Sequence, residues 1–330
     1  MNKQIQIPRR NFLATFIASS LYLSNYESAL ASNFPSQPIK MVVGFAAGGA
    51  TDLLTRLVCQ KISEKIGQQI VIENKIGAGG SLGTDFVAKS LGDGHTLLSA
   101  SASHTINQSL YKSLPYDPVA DFEPISMIGG ISNILVVSPS LQVSSVSELI
   151  SYVKNNPNKV NIASAGIGSS SHLAGELFQS IAGLKLTHVP YKGTAESVRD
   201  LLSGEVQVTI DALPVLLPHI KKGSLKALGV GDKKRISLLP DVPTLSEAGI
   251  TGYELYAWVG FLAPAKTPKD IISILNLQIN NALKLPEVQK KFADMGAFVS
   301  GTTPEEFSII IKNEISKFDK IIKSAGIQAI

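Results

Sequence analysis

The chain has 330 residues, with 30 Lys plus Arg against 26 Asp plus Glu, a formal net charge of +4 and 17% charged residues. So even a balance carries no electrostatic footprint of a nucleic-acid partner. The single cysteine, Cys59, excludes an internal disulfide and a cysteine cluster for metal.

Lys3, Arg9 and Arg10 precede an apolar run at 12–23 that is too short for a stable membrane anchor, and Ala29-Leu30-Ala31 supplies a small-x-small cleavage pattern. Residues 1–31 therefore read as an export signal peptide. Arg9-Arg10 followed by Asn11-Phe12-Leu13 is similar to a twin-arginine signal, with an ordinary secretion signal as the alternative, and both routes end outside the cytoplasm. Without this segment the balance is 27 basic to 25 acidic residues, and no other apolar run reaches about 18 residues, which predicts a soluble mature protein.

The next segments alternate in period: strand 39–45, helix 52–66, strand 69–73, helix 82–89 and strand 96–100. Cys59 falls in the first helix as a small buried apolar side chain. Around Leu135-Val136-Val137 the pattern begins again, with helix 146–155, strand 160–163, helix 172–181, strand 187–189, helix 195–203 and strand 206–210. A strand at 225–230 precedes a loop holding Pro240, Pro243 and Gly249, and an aromatic-bearing strand follows at 253–262. Three helices start after Pro268, Pro286 and Pro304, the last with Thr303 as cap and Glu306 three residues on.

Such alternation predicts α/β architecture, with parallel sheets covered by helices on both faces, in two doubly wound domains joined by a hinge. A unit confined to 34–131 is short of helices. The chain is thus expected to return near Tyr256, giving one domain of 32–131 with 256–330 and a second of 132–255.

Two stretches look like the same device. Strand 39–45 runs through Ala46-Ala47-Gly48-Gly49-Ala50-Thr51 into a helix, and strand 160–163 runs through Ser164-Ala165-Gly166-Ile167-Gly168-Ser169-Ser170-Ser171 into another. Small residues let backbone N–H groups approach a ligand, and a helix N-terminus favours negative charge there. Facing each other across a cleft, the loops would grip a small carboxylate. Asp52 reads as a helix-start acid. His172 is a source of positive charge or a partly exposed hydrogen-bonding residue. Asp211 is a receiver for a ligand hydroxyl or amino group, or a turn-former before Pro214. Trp258 and Tyr256 line the cleft or pack in the core.

The chain resembles the periplasmic solute-binding receptors of tripartite tricarboxylate transporters, the Bug-type family. The resemblance rests on Gly48-Gly49-Ala50-Thr51-Asp52, Glu73-Asn74-Lys75 with Gly77-Ala78-Gly79-Gly80, Asp93-Gly94-His95-Thr96, Leu114-Pro115-Tyr116-Asp117-Pro118, His188-Val189-Pro190-Tyr191-Lys192-Gly193, Leu239-Pro240-Asp241-Val242-Pro243-Thr244 and Thr303-Pro304-Glu305-Glu306-Phe307. It spans essentially the whole mature chain. It implies a type II periplasmic binding protein fold that closes on an organic acid, a di- or tricarboxylate, amino acid or aromatic acid, and passes it to membrane permease subunits. It also implies a monomer with no cofactor. Carried over by position, the first loop supplies Phe45, Gly48, Gly49, Ala50 and Thr51, and the second supplies Gly168, Ser169, Ser170 and Ser171. Ser101, Ser103, Tyr191, Lys192, Gly193 and Asp211 complete the rim. Two departures stand out: Ala46-Ala47 replaces prolines usual in the family's first loop, and the family is usually exported without a twin-arginine signal.

Enzymatic motifs find little support. Gly79-Gly80-Ser81-Leu82-Gly83 fits a nucleophile-elbow pattern, but residues 74–78 separate it from the preceding strand. No phosphate-binding P-loop occurs, and the five histidines have no paired metal-ligand spacing. The leading expectation is a non-catalytic receptor for transport. The alternatives are a co-receptor presenting its closed form to a sensor kinase, and a secreted hydrolase using Ser81.

Overall fold

The computed structural model describes residues 34–329, so the export-signal reading at 1–31 lies outside the described residues. Strand β1 (Ile39–Val43) leads into helix α1 (Ala50–Ile66), followed by β2 (Ile70–Asn74), α2 (Ser81–Ala88), β3 (Thr96–Ser101) and α3 (Ser103–Leu110). Then come β4 (Phe122–Val137), α4 (Val146–Asn155), β5 (Asn161–Ser164), α5 (Ser170–Ala182), β6 (Thr187–Pro190), α6 (Thr194–Ser203), β7 (Val208–Ala212), α7 (Leu213–Lys221) and β8 (Lys226–Val230). The chain finishes with β9 (Tyr256–Pro264), α8 (Lys269–Leu283), α9 (Pro286–Asp294), β10 (Ala297–Val299) and α10 (Pro304–Ser324). Among the described residues no helix is long and apolar enough to cross a membrane.

The strands run in the order β2-β1-β3-β9-β4-β7-β5-β6, with β10 and β8 also paired to β4. Two parallel groups, β2-β1-β3 and β7-β5-β6, are joined through antiparallel strands. The expected parallel sheets are found in these two groups, but the strands joining them are not parallel: β9 is antiparallel to β3 and β4, and β4 is antiparallel to β7 and β8. Direction follows from where a strand re-enters the sheet, and β9 re-enters after a long excursion through residues 231–255 rather than through a crossover helix.

Strand β4 holds the architecture together. At 16 residues it runs about 50 Å. Phe122–Ser132 pairs with β9, and Asn133–Val137 pairs with β7 and β8. Gly129 and Gly130 sit in its middle because Phe298 of β10 covers them, and a Cβ at Gly130 would enter the Phe298 ring.

Helix α1 buries Leu54, Val58, Cys59 and Ile62 against α8, whose Ile272, Leu275 and Ile279 join the same apolar cluster. That i, i+4, i+8 stripe is what the sequence periodicity announces. Burial pushes the Cys59 thiol far above its ordinary range, so it stays protonated and inert. Helix α10 opens with the expected capping box: Thr303 Oγ1 accepts the Glu306 N–H at 3.1 Å, and Glu306 Oε2 accepts the Thr303 N–H at 2.9 Å. Phe307 then meets fully buried Trp258 edge to face, with ring centres 5.5 Å apart. Trp258 is core, and Tyr256 faces a separate groove beside Phe298.

Candidate functional site

The first loop is anchored from behind. The Asp52 carboxylate accepts the Gly48 N–H at 2.9 Å, the Asn74 amide at 3.0 Å and both arms of Arg56 at 2.8 and 2.9 Å. Burial alone would raise the Asp52 pKa, but these four donors outweigh it and hold the carboxyl below its ordinary value. Asn74 also donates to the Phe45 carbonyl at 2.8 Å. Asp52 is thereby engaged in fixing the loop. Gly49 is then the N-cap of α1 in extended conformation, with no side chain over the first-turn N–H groups.

The second loop is fixed by its own hydroxyls. Ser171 Oγ accepts the Ala165 N–H at 2.8 Å, Ser164 Oγ accepts the Gly166 N–H at 3.1 Å, and Ser169 Oγ caps α5 by accepting the His172 N–H at 3.2 Å. His172 stacks on His188, ring centres 4.4 Å apart. Burial and the neighbouring His188 push the His172 pKa down to about 4, so it brings no positive charge to the loop at neutral pH.

A third element joins them. Gly193 caps α6, again with no capping side chain, and Thr194 and Ala195 face the same space. Three helix N-termini thus converge on one cavity, two of them with unobstructed first turns. Each carries partial positive charge and N–H groups lacking intrahelical partners.

Phe45, Gly49, Ala50, Thr51, Ser101, Ser169, Ser170, Gly193 and Asp211 line this central cavity, over an apolar floor of Ile131, Ala212 and Ala257. It has about 40 Å³ open to the centre of a water molecule, room for a few waters. Tyr191 and Lys192 instead line an adjoining chamber of about 300 Å³ by the same measure, which shares Phe45 and Ala165 with the first. Gly48, Ser103, Gly168 and Ser171 lie in neither lining. The Gly48 N–H is taken by Asp52, Ser103 Oγ bonds Ser101 Oγ at 2.8 Å, and Ser171 Oγ serves the second loop. Gly168 packs against Asn107 and Tyr111 across the cleft.

Thr194 and Ala195, like Ile131, Ala212 and Ala257 of the floor, line the cavity but were missed by sequence reasoning. For the first two the signal was present, since Pro190-Tyr191-Lys192-Gly193-Thr194 is another strand, small-residue stop and helix start.

Asp211 is the ionisable residue among those lining the central cavity. It is 3% exposed, with Oδ1 accepting the Ala212 N–H at 2.7 Å and Oδ2 without a hydrogen-bond partner. Burial pushes its pKa up to about 6, the Ala212 N–H and the Thr194 and Ser171 hydroxyls pulling the other way.

Chemically, this lining offers anion-binding N–H groups and hydroxyls, and it pairs no hydroxyl with an imidazole. Ser81 lies outside it: its Oγ accepts from the Asn107 amide at 3.0 Å and the Tyr116 hydroxyl at 3.3 Å, and neither partner is a general base. Among the described residues no group of three or more His, Cys, Asp or Glu is placed to hold a metal.

Mixed α/β sheets with two small-residue loops meeting at one cavity fit a periplasmic binding protein fold, and comparison with known proteins agrees. The structure of periplasmic binding protein BugD superposes with a TM-score of 0.87 at 35% identity, over 89% of this chain and 99% of that one. R. palustris Rpa4515 with adipate gives 0.87 at 36% identity, over 90% and 100%. MatC (Rpa3494) from Rhodopseudomonas palustris with bound malate gives 0.85 at 33% identity, over 88% and 100%. The model of the tripartite tricarboxylate transporter family receptor matches residues 54–327. The chain belongs to that receptor family.

Proposed function

We propose that this protein captures a small organic carboxylate in the central cavity by closing two units, 32–131 with 256–330 and 132–255, and delivers it in the periplasm to the permease of a tripartite tricarboxylate transporter. The observation that carries this reading is the convergence of three helix N-termini on a cavity lined from both units, with no lysine or arginine in the lining. Backbone donors and helix dipoles suffice to hold a carboxylate there. The two-unit reading is supported by β4 and β9, which alone carry the sheet from one parallel group to the other. Closure is supported by contact across the cleft: a Cβ at Gly193 would lie 3.1 Å from Ala46 Cβ.

Adipate and malate in the two R. palustris structures support a carboxylate as the ligand class. The protein is a receptor without covalent chemistry, and it needs no cofactor.

The test is a thermal-shift screen of residues 32–330 against organic acids and their amides, followed by calorimetry. A ligand at a thousandfold its Kd stabilises by about 4 kcal/mol, so a true ligand raises Tm visibly. Equal shifts with acid and amide, or none with any acid, would overturn the reading.

A further inference from the structure

Asp211 sits at the end of β7 against the cavity and makes one hydrogen bond in the fold, from the adjacent Ala212 N–H. Its Oδ2 is orphaned although the residue is 97% buried. Buried polar atoms in folded proteins nearly always have partners, and one left without is costly. The groups acting on this carboxylate are neutral, namely the Ala212 N–H and the Thr194 and Ser171 hydroxyls, so no cation of the chain compensates it. A partnerless carboxylate oxygen on a residue that lines a binding cavity calls for a donor on the ligand.

Building on the carboxylate-receptor reading, we propose that Asp211 is the specificity-determining residue of the cleft, selecting hydroxy- and amino-carboxylates over dicarboxylates that lack such a donor. The ligand carboxylate lies at the open first turns of α1 and α6, capped by Gly49 and Gly193. Its hydroxyl or ammonium hydrogen is donated to Asp211 Oδ2. An acid with only methylenes there leaves the oxygen orphaned, and a second carboxylate meets like charge. Sites built to receive a donor strongly reject analogues lacking it.

The experiment is calorimetry of residues 32–330 at pH 8 with matched triplets: succinate, L-malate and L-aspartate; glutarate, 2-hydroxyglutarate and L-glutamate; adipate and its 2-hydroxy and 2-amino derivatives. At least one donor-bearing acid binds about tenfold or more tighter than its plain partner. In Asp211→Ala and Asp211→Asn, both checked for intact melting, plain acids bind as well as before or better, and the Ala variant loses the preference to within about threefold. Preference for the amino acid alone assigns an ammonium, and for the hydroxy acid alone a hydroxyl; both support the proposal. Plain acids binding within about threefold of their partners in the native protein, or a preference that survives Asp211→Ala, would overturn it and leave the receptor reading standing. No binding by any acid here or in the wider screen would instead remove the receptor reading, and this inference with it.

Discussion

Gly48 donates its N–H to the Asp52 carboxylate at 2.9 Å, and that bond sets the first loop before any ligand arrives. Asp52→Ala removes the acceptor for Gly48, Asn74 and Arg56 together. The expected outcome is a loss of about 1 kcal/mol in unfolding free energy, since Gly48 is exposed, Asn74 half-buried and Arg56 in reach of solvent, so that each freed donor can turn to water. Carboxylate affinity falls about tenfold because the loop must be ordered on binding. Denaturant unfolding and calorimetry read the two effects separately, and unchanged affinity would show that the loop is held by other means.

Gly193 lies against Ala46 where the first loop meets the start of α6. Gly193→Ala places a methyl 3.1 Å from Ala46 Cβ, tight enough that one side must yield. The expected result is an affinity about tenfold weaker together with a loss of about 1–3 kcal/mol in the ligand-free protein, because the backbone at Gly193, with φ 159° and ψ 163°, suits glycine alone. Small-angle scattering should show ligand-dependent compaction reduced in the variant. Full compaction with native affinity would mean that the two loops separate easily at this point.

Asp211 makes stability depend on pH in a specific direction. Its pKa is raised from 3.8 to about 6 on folding, so its relative stabilisation is present below about pH 4 and lost as pH rises through 6. Asp211→Asn should therefore stabilise the ligand-free protein by about 3 kcal/mol at pH 8, and the gain should vanish near pH 4. His104 and His172 run the other way, each lowered from 6.5 to about 4 chiefly by burial, so their contribution is full above pH 6.5 and lost toward pH 4. The variant's acid-side loss between pH 6 and 4 is consequently steeper by about 1.4 kcal/mol per pH unit. Tm measured across pH 4–8 checks this, and a constant offset between the two proteins would contradict it.

Ser81 separates a receptor from a hydrolase. Ser81→Ala removes an acceptor shared by Asn107 and Tyr116, and should cost about 1–2 kcal/mol of stability. Ligand affinity should stay within about twofold, since Ser81 lies outside the cavity lining. Ester hydrolysis by the native protein that disappears in this variant would reverse the assignment.

The sequence made the helices with clean periodicity and caps legible, as α4 (Val146–Asn155) and the Thr303/Glu306 box of α10 show. Helix α3 was not legible, because Ser103, His104, Thr105 and Asn107 are buried polar residues and hide the apolar face that periodicity detects. Helix α7 was hidden by Pro214 and Pro218, and β4 was interrupted on paper by Gly129-Gly130, whose room is needed by Phe298, more than 160 residues later in the chain. Both small-residue loops could be read because glycine and a following helix are local signals. That Lys192 and Tyr191 open onto the outer chamber while Thr194 faces the inner one depends on how β6 is oriented against β5, which no local pattern encodes.

Phe45 belongs to both chambers, its carbonyl tethered by Asn74 and its ring beside Gly80. It is a partition between a small room and a larger one, both mainly apolar. Trimming that single side chain would join them, so a receptor for compact acids could become one for acids carrying a ring or a long tail without any change to the carboxylate grip. Diversification of cargo among receptors built this way need not touch the anion site at all.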